Sequence, residues 1–155
     1  MFLSNVRTIR SENCHGVTSA LLQQFNGASA VLENTNLTNN DFNLLINNWY
    51  EGRQPNLKAL ILWQEARDTI DLATVLRGFE AHPYDEEEDL RARYYFLAPE
   101  IAGYSEDHRN LLDCVDGSDI IRPRDGMRCT VRIYMNVFCF YVWHQNFPPA
   151  WNPAL

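Results

Sequence analysis

The stretch from Ala30 to Leu62 constrains this chain more than any other, because it reads as strand, tightly bounded helix and strand. Thr38 stands where an N-cap hydroxyl accepts from the backbone of Asp41. The Asp41 carboxylate can reach back to the Thr38 amide and favours the positive helix end. Phe42, Leu45, Ile46 and Trp49 then share one helical face, which makes Trp49 a core anchor. Gly52 can take the left-handed conformation at the stop, and Pro55 prevents continuation. Ala30-Val31-Leu32 and Leu60-Ile61-Leu62 flank the helix as apolar, strand-like runs. A helix so limited at both ends fits the crossover between two parallel strands.

The same order begins earlier. Val6-Arg7-Thr8-Ile9 leads through Ser11-Glu12-Asn13 into a helix-like run from Val17 to Phe25, and the second unit turns through Asn34-Thr35-Asn36. Asn13, Asn36 and Gln64 recur at intervals of 23 and 28, in the range of leucine-rich repeats. The expected class is therefore α/β, with leucine-rich-repeat-like strand–helix units forming an open sheet in which each unit needs a neighbour to bury its apolar face.

From Ser118 onward the period changes to two. Met127, Cys129, Val131 and Ile133 alternate with Arg128, Thr130, Arg132 and Tyr134, as in a half-buried antiparallel strand with one polar face. Arg124-Asp125-Gly126 marks a turn in which Gly126 takes positive φ. Met135-Asn136 turns the chain into Val137 to Trp143, a continuous apolar run expected to be covered on both faces and to bury Trp143. The architecture predicted is one domain over residues 1–146, followed by a proline-rich tail over residues 147–155. That domain comprises a repeat-like region over residues 1–64, a variable middle over 65–113 and antiparallel strands over 114–146. In the middle, Thr69 to Phe79 reads as a short helix and Tyr94-Tyr95-Phe96 as a strand.

Charge and motifs narrow the function. A net charge of −7 disfavours nucleic acid and anionic membrane as partners, since both require a positive surface. Neither a signal peptide nor an apolar run of the roughly 20 residues that span a bilayer is present, which predicts a cytoplasmic protein, with the nucleus as the alternative. Cys14, Cys114, Cys129 and Cys139 lack metal or redox spacing and read as buried thiols. His15, His82, His108 and His144 are scattered, and no nucleophile, phosphate-loop or dinucleotide motif accompanies them. Asp113, Asp116, Asp119 and Asp125 read as turn formers rather than a metal cluster, and Tyr84 to Asp89 as a solvated acidic stretch. No enzyme activity, metal or cofactor is implied. Arginine is a frequent contributor to interfaces, so Arg122, Arg124, Arg128 and Arg132 are the candidate partner-binding residues.

Several segments in this order and spacing resemble a known family. They are Leu37 to Trp49, Gly52, Pro55-Asn56-Leu57-Lys58-Ala59-Leu60, Asp119 to Gly126 and the closing Phe140-Tyr141-Val142-Trp143. Over residues 25–144 the chain resembles the F-box associated domain, type 2, of nematode F-box proteins. The resemblance implies a protein-recognition role, that of the substrate-binding portion of a ubiquitin-ligase adaptor, with a protein target as partner. The two dozen residues before the matching stretch do not read as the leucine- and proline-rich F-box, so a Skp-type adaptor is not an expected partner of this sequence. A structural or self-associating repeat fragment without a ligase role is the alternative.

Overall fold

The computed structural model describes residues 6–65, 70–87, 91–104 and 111–144. The amino-terminal half of the chain forms β1 (Thr8–Ser11), α1 (Ser19–Gln23), β2 (Ser29–Thr35), α2 (Asn39–Tyr50) and β3 (Ala59–Gln64). Then come α3 (Leu72–Val75), β4 (Ala81–Pro83), β5 (Tyr94–Phe96), a 3-10 helix (Pro99–Tyr104) and β6 (Leu111–Asp113). β7 (Ser118–Ile121), β8 (Arg128–Tyr134) and β9 (Val137–Trp143) complete the described elements.

These strands make an open, mixed sheet of seven in the order β1-β2-β3-β9-β8-β7-β4, and β5 pairs with β6 in a separate two-stranded sheet. β1, β2 and β3 are parallel, with α1 and α2 in the two connections. From β3 outward through β9, β8, β7 and β4 every pairing is antiparallel. The class predicted from sequence, α/β with a closing antiparallel meander, is the class observed. The register is not that of the asparagine intervals, however. Thr8 pairs with Ser29 and Ser29 with Ala59, so Asn34 rather than Asn36 falls opposite the continuation of Asn13. Asn13 and Asn34 both take positive φ, at 55° and 54°.

α2 forms as its sequence requires. Thr38 accepts from the Asp41 amide at 3.3 Å while the Asp41 carboxylate accepts from the Thr38 amide at 2.8 Å. Gly52 has φ of 79° just past the last turn. Phe42, Leu45, Ile46 and Trp49 are buried against Leu60, Leu62, Phe138 and Phe140 in the larger core, where Phe42 stacks on Phe138 at 4.6 Å. A second core lies on the opposite face of the sheet. There Val31, Ala59, Ile61, Cys139 and Tyr141 meet Tyr95, Leu97, Ile101 and Leu112 from the β5–β6 layer. β3 and β9 are thus covered on both sides, which is why their residues are apolar without alternation.

Three expectations are corrected. The polar face of β8 is covered over much of its length: Thr130 is fully buried beside Asp119 of β7 and Arg128 and Arg132 are partly buried, while Tyr134 at the end of the strand stays exposed. Burial is tolerated because these polar groups are paired with one another. The helix read over Thr69 to Phe79 shortens to Leu72–Val75, since Asp71 caps it by accepting from the Thr74 amide. β4 and β6 add strands where none was read. Thr69, Glu88, Asp89, His108 and the 147–155 tail with Trp151 lie outside the described residues. Among the described residues no helix is long and apolar enough to cross a membrane.

Candidate functional site

The covered polar face is organised around one carboxylate. Asp119 accepts from Arg91 Nε at 2.6 Å and from its second terminal nitrogen at 3.0 Å, from Arg128 at 3.1 Å and from the Thr130 hydroxyl at 2.7 Å. Arg91 continues to the carbonyls of Ala92 and Cys114 and lies 4.0 Å from the Tyr84 ring centroid. Trp143 donates its indole N–H to Thr130 at 2.8 Å and sets its edge against Tyr95. With one carboxylate facing two guanidiniums, the cluster is held by charge-assisted hydrogen bonds rather than by apolar contact.

Beside it, at the β4 edge, opens a cleft of about 660 Å³. It is lined by His82, Pro83 and Tyr84, by Asp85 and Glu86, by Arg128, and by the aliphatic side chains of Val115 and Ile121. Val115 and Ile121 are 40% and 42% exposed, conspicuous for aliphatic side chains beside a buried ionic cluster. Glu86 meets Arg93 at 3.4 Å, and Arg93 also binds both Asp113 oxygens, at 3.0 and 2.8 Å. That hydrogen bonding holds the Asp113 carboxyl below the usual carboxylate range.

No protein-family model, curated protein or solved structure matches this chain. The site is therefore read from its own residues.

The four candidate arginines do not gather. Arg122 is buried, donating to the Trp49 carbonyl at 2.6 Å and to both Asp125 oxygens, with its guanidinium 4.7 Å from the Trp49 ring. Arg124 donates to the Glu51 carbonyl at 3.2 Å, and its terminal nitrogen occupies the space that a Cβ on Gly52 would need. Both therefore fasten the β7–β8 turn to the end of α2. Arg128 and Arg132 lie on the other face, Arg128 in the cleft lining and Arg132 3.0 Å from Asp116. Gly126 has φ of 73° and closes the turn by donating to the Arg122 carbonyl. Hydrogen bonding from Arg122 holds Asp125 down to about 2.

Each of the four aspartates read as turn formers has its own arginine: Asp113 with Arg93, Asp116 with Arg132, Asp119 with Arg91 and Arg128, Asp125 with Arg122. The sequence neighbours Cys14 and His15 turn to different partners. The Cys14 thiol points to the Ser11 carbonyl, and His15 meets Glu65 at 2.8 Å. Cys114, Cys129 and Cys139 are buried, and burial pushes the Cys114 thiol up to about 12. Missing from the sequence reading were Arg91, Asp119, Val115 and Ile121 as members of one site. Asp119 carried a signal, since an aspartate inside an alternating strand is disfavoured unless something pairs with it.

Proposed function

We propose that this chain is a non-catalytic protein-recognition domain whose β4-edge cleft receives a segment of a target protein. The observation that carries the reading is a cleft in which two exposed aliphatic side chains, Val115 and Ile121, lie with Arg128, which its ion pair with buried Asp119 holds in place. A preformed cleft of that kind loses little conformational freedom on binding. The acidic pair Asp85 and Glu86 in its lining favours a target segment with an apolar side chain next to Lys or Arg. Of the four candidate arginines, Arg128 is the one that stands in this cleft.

The resemblance to the type 2 F-box associated domain supports the same role, the substrate-binding portion of a ubiquitin-ligase adaptor. The finer reading of β1–α1, β2–α2 and β3 as leucine-rich-repeat-like units is supported by side-chain amides that join successive units at comparable places. Asn36 donates to the His15 carbonyl, Gln64 to that of Leu37 and Asn56 to that of Asn26. In this reading the units are scaffold and the cleft is the reader.

The test is capture from native lysate with a photo-crosslinking side chain in place of Val115. One saturable protein partner, lost in Ile121→Asp while the melting temperature is kept, is the expected result. Concentration-dependent self-assembly with no partner at any protein concentration would instead select the self-associating alternative.

A further inference from the structure

The parallel register of β1, β2 and β3 sets the three residues that precede them, Arg7, Ala28 and Lys58, in one row. The Ala28 amide donates to the Arg7 carbonyl at 2.7 Å and the Lys58 amide to the Ala28 carbonyl at 2.6 Å. Ala28 carries only a methyl between two long cationic side chains, which leaves the space above it open. Two clefts that share Arg7 and Lys58 in their lining, about 380 and 210 Å³, make up a trough there, and Ala28 lines the larger. Asn26 and Asn56 add carboxamides to the larger one, while Glu100 stands in the smaller.

The charge of this trough runs against the rest of the molecule. The chain has a net charge of −7, and Lys58 is its single lysine. In the antiparallel half Arg91, Arg93, Arg122, Arg128 and Arg132 are each engaged by a carboxylate. Among the described residues, no carboxylate engages Arg7 or Lys58. Two cations with no carboxylate partner among the described residues, side by side in a cleft, can meet an anion without first breaking such a pair.

We propose that this amino-terminal edge of the parallel strands is a second binding site, separate from the β4-edge cleft, and that it takes an acidic segment of a protein. A small anion would fill only a fraction of the two compartments, whereas an extended chain can lie along them with its carboxylates between Arg7 and Lys58 and its peptide groups toward Asn26 and Asn56. Glu100 repels negative charge from the smaller compartment, so the carboxylates of the segment lie in the larger one.

The experiment titrates the full chain into fluorescein-labelled hexaglutamate at low salt and follows anisotropy, with labelled hexalysine and an oligodeoxythymidylate as parallel probes. Saturable binding of hexaglutamate is expected, weakened at least about tenfold when Arg7→Ala and Lys58→Ala are combined, as loss of two charge-assisted contacts requires. Arg77→Ala, a surface arginine elsewhere, should leave it unchanged. Glu100→Gln should tighten it, a gain that a damaged fold would not produce. The proposal is overturned by the absence of saturable hexaglutamate binding, by an equal loss in Arg77→Ala, or by tighter binding of either parallel probe. Ile121→Asp should not affect this titration, which separates its outcome from that of the β4-edge cleft.

Discussion

The parallel half of the sheet and the antiparallel half solve the same problem with different chemistry. Around β1–β3 several links between neighbouring segments are neutral amides and hydroxyls, with the exposed His15–Glu65 contact as an exception. Gln54 donates to the carbonyls of Leu22 and Phe25, Gln64 to that of Leu37, and Thr35 to that of Trp63. Around β5–β8 the links are guanidinium–carboxylate pairs with a buried aspartate at their centre. Parallel strands bring corresponding turns side by side, so a short side chain reaches the carbonyl one unit away. The antiparallel half joins segments of unlike shape, and there the long arginine arm spans the distance. The first kind of link is indifferent to pH and salt, the second is not.

The sharpest way to break this comparison is to remove the carboxylate on which the charged half converges. Asp119→Ala leaves Arg91 and Arg128 without the partner they share, and losing one partner of a buried ion pair costs about 3–5 kcal/mol. Urea titration should show the midpoint falling at an unchanged slope. A loss below about 1 kcal/mol would mean that the cluster is ornamental to folding. Next in size is the amide half. Gln54→Ala takes the side-chain donor from the carbonyl of Leu22, which keeps the Phe25 amide, and from that of Phe25, at a cost of about 1–3 kcal/mol. If Gln54→Ala proved as damaging as Asp119→Ala, the distinction between the halves would fail.

Local patterns made the parallel half readable, and their absence hid much of the rest. The capping box at Thr38 and Asp41, the face from Phe42 to Trp49 and the stop at Gly52 all act within one helix, so residue spacing encodes them. The turn at Gly126 and the two-sided burial of β9 were legible for the same reason. The role of Arg91 was not, because it depends on Asp119, 28 positions away, and nothing in the intervening sequence announces the contact. Alternation in β8 indicated which residues share a face but not that much of the polar one would be covered. The same limit hid the candidate site, since His82, Val115, Ile121 and Arg128 meet only through the antiparallel pairing of β4, β7 and β8. The trough is not legible in the sequence because Arg7, Ala28 and Lys58 align only through the parallel register.

The smallest expected effect is also the one that tells the two halves apart without a substitution. Asp125 is held down to about 2 by Arg122, and Asp113 is held below its usual value by Arg93. A carboxyl with a depressed folded value contributes stability that is fully present above its unfolded value, about 3.9. That contribution is lost as pH falls through the folded value. The window for Asp125 therefore runs from about pH 4 down to about pH 2, with the protein losing stability toward acid. Because Asp125 is largely exposed, solvent screens its pair with Arg122 and its share stays under about 1 kcal/mol. Hydrogen exchange on lowering the pH through this range should show amides of the β7–β8 turn and of β5–β6 losing protection first. Amides of β2 and β3, joined to their neighbours through the Thr35 hydroxyl and the Gln64 amide, should keep theirs until global unfolding. Simultaneous loss in both halves would show that the sheet opens as one unit and that its two chemistries are not separable in stability.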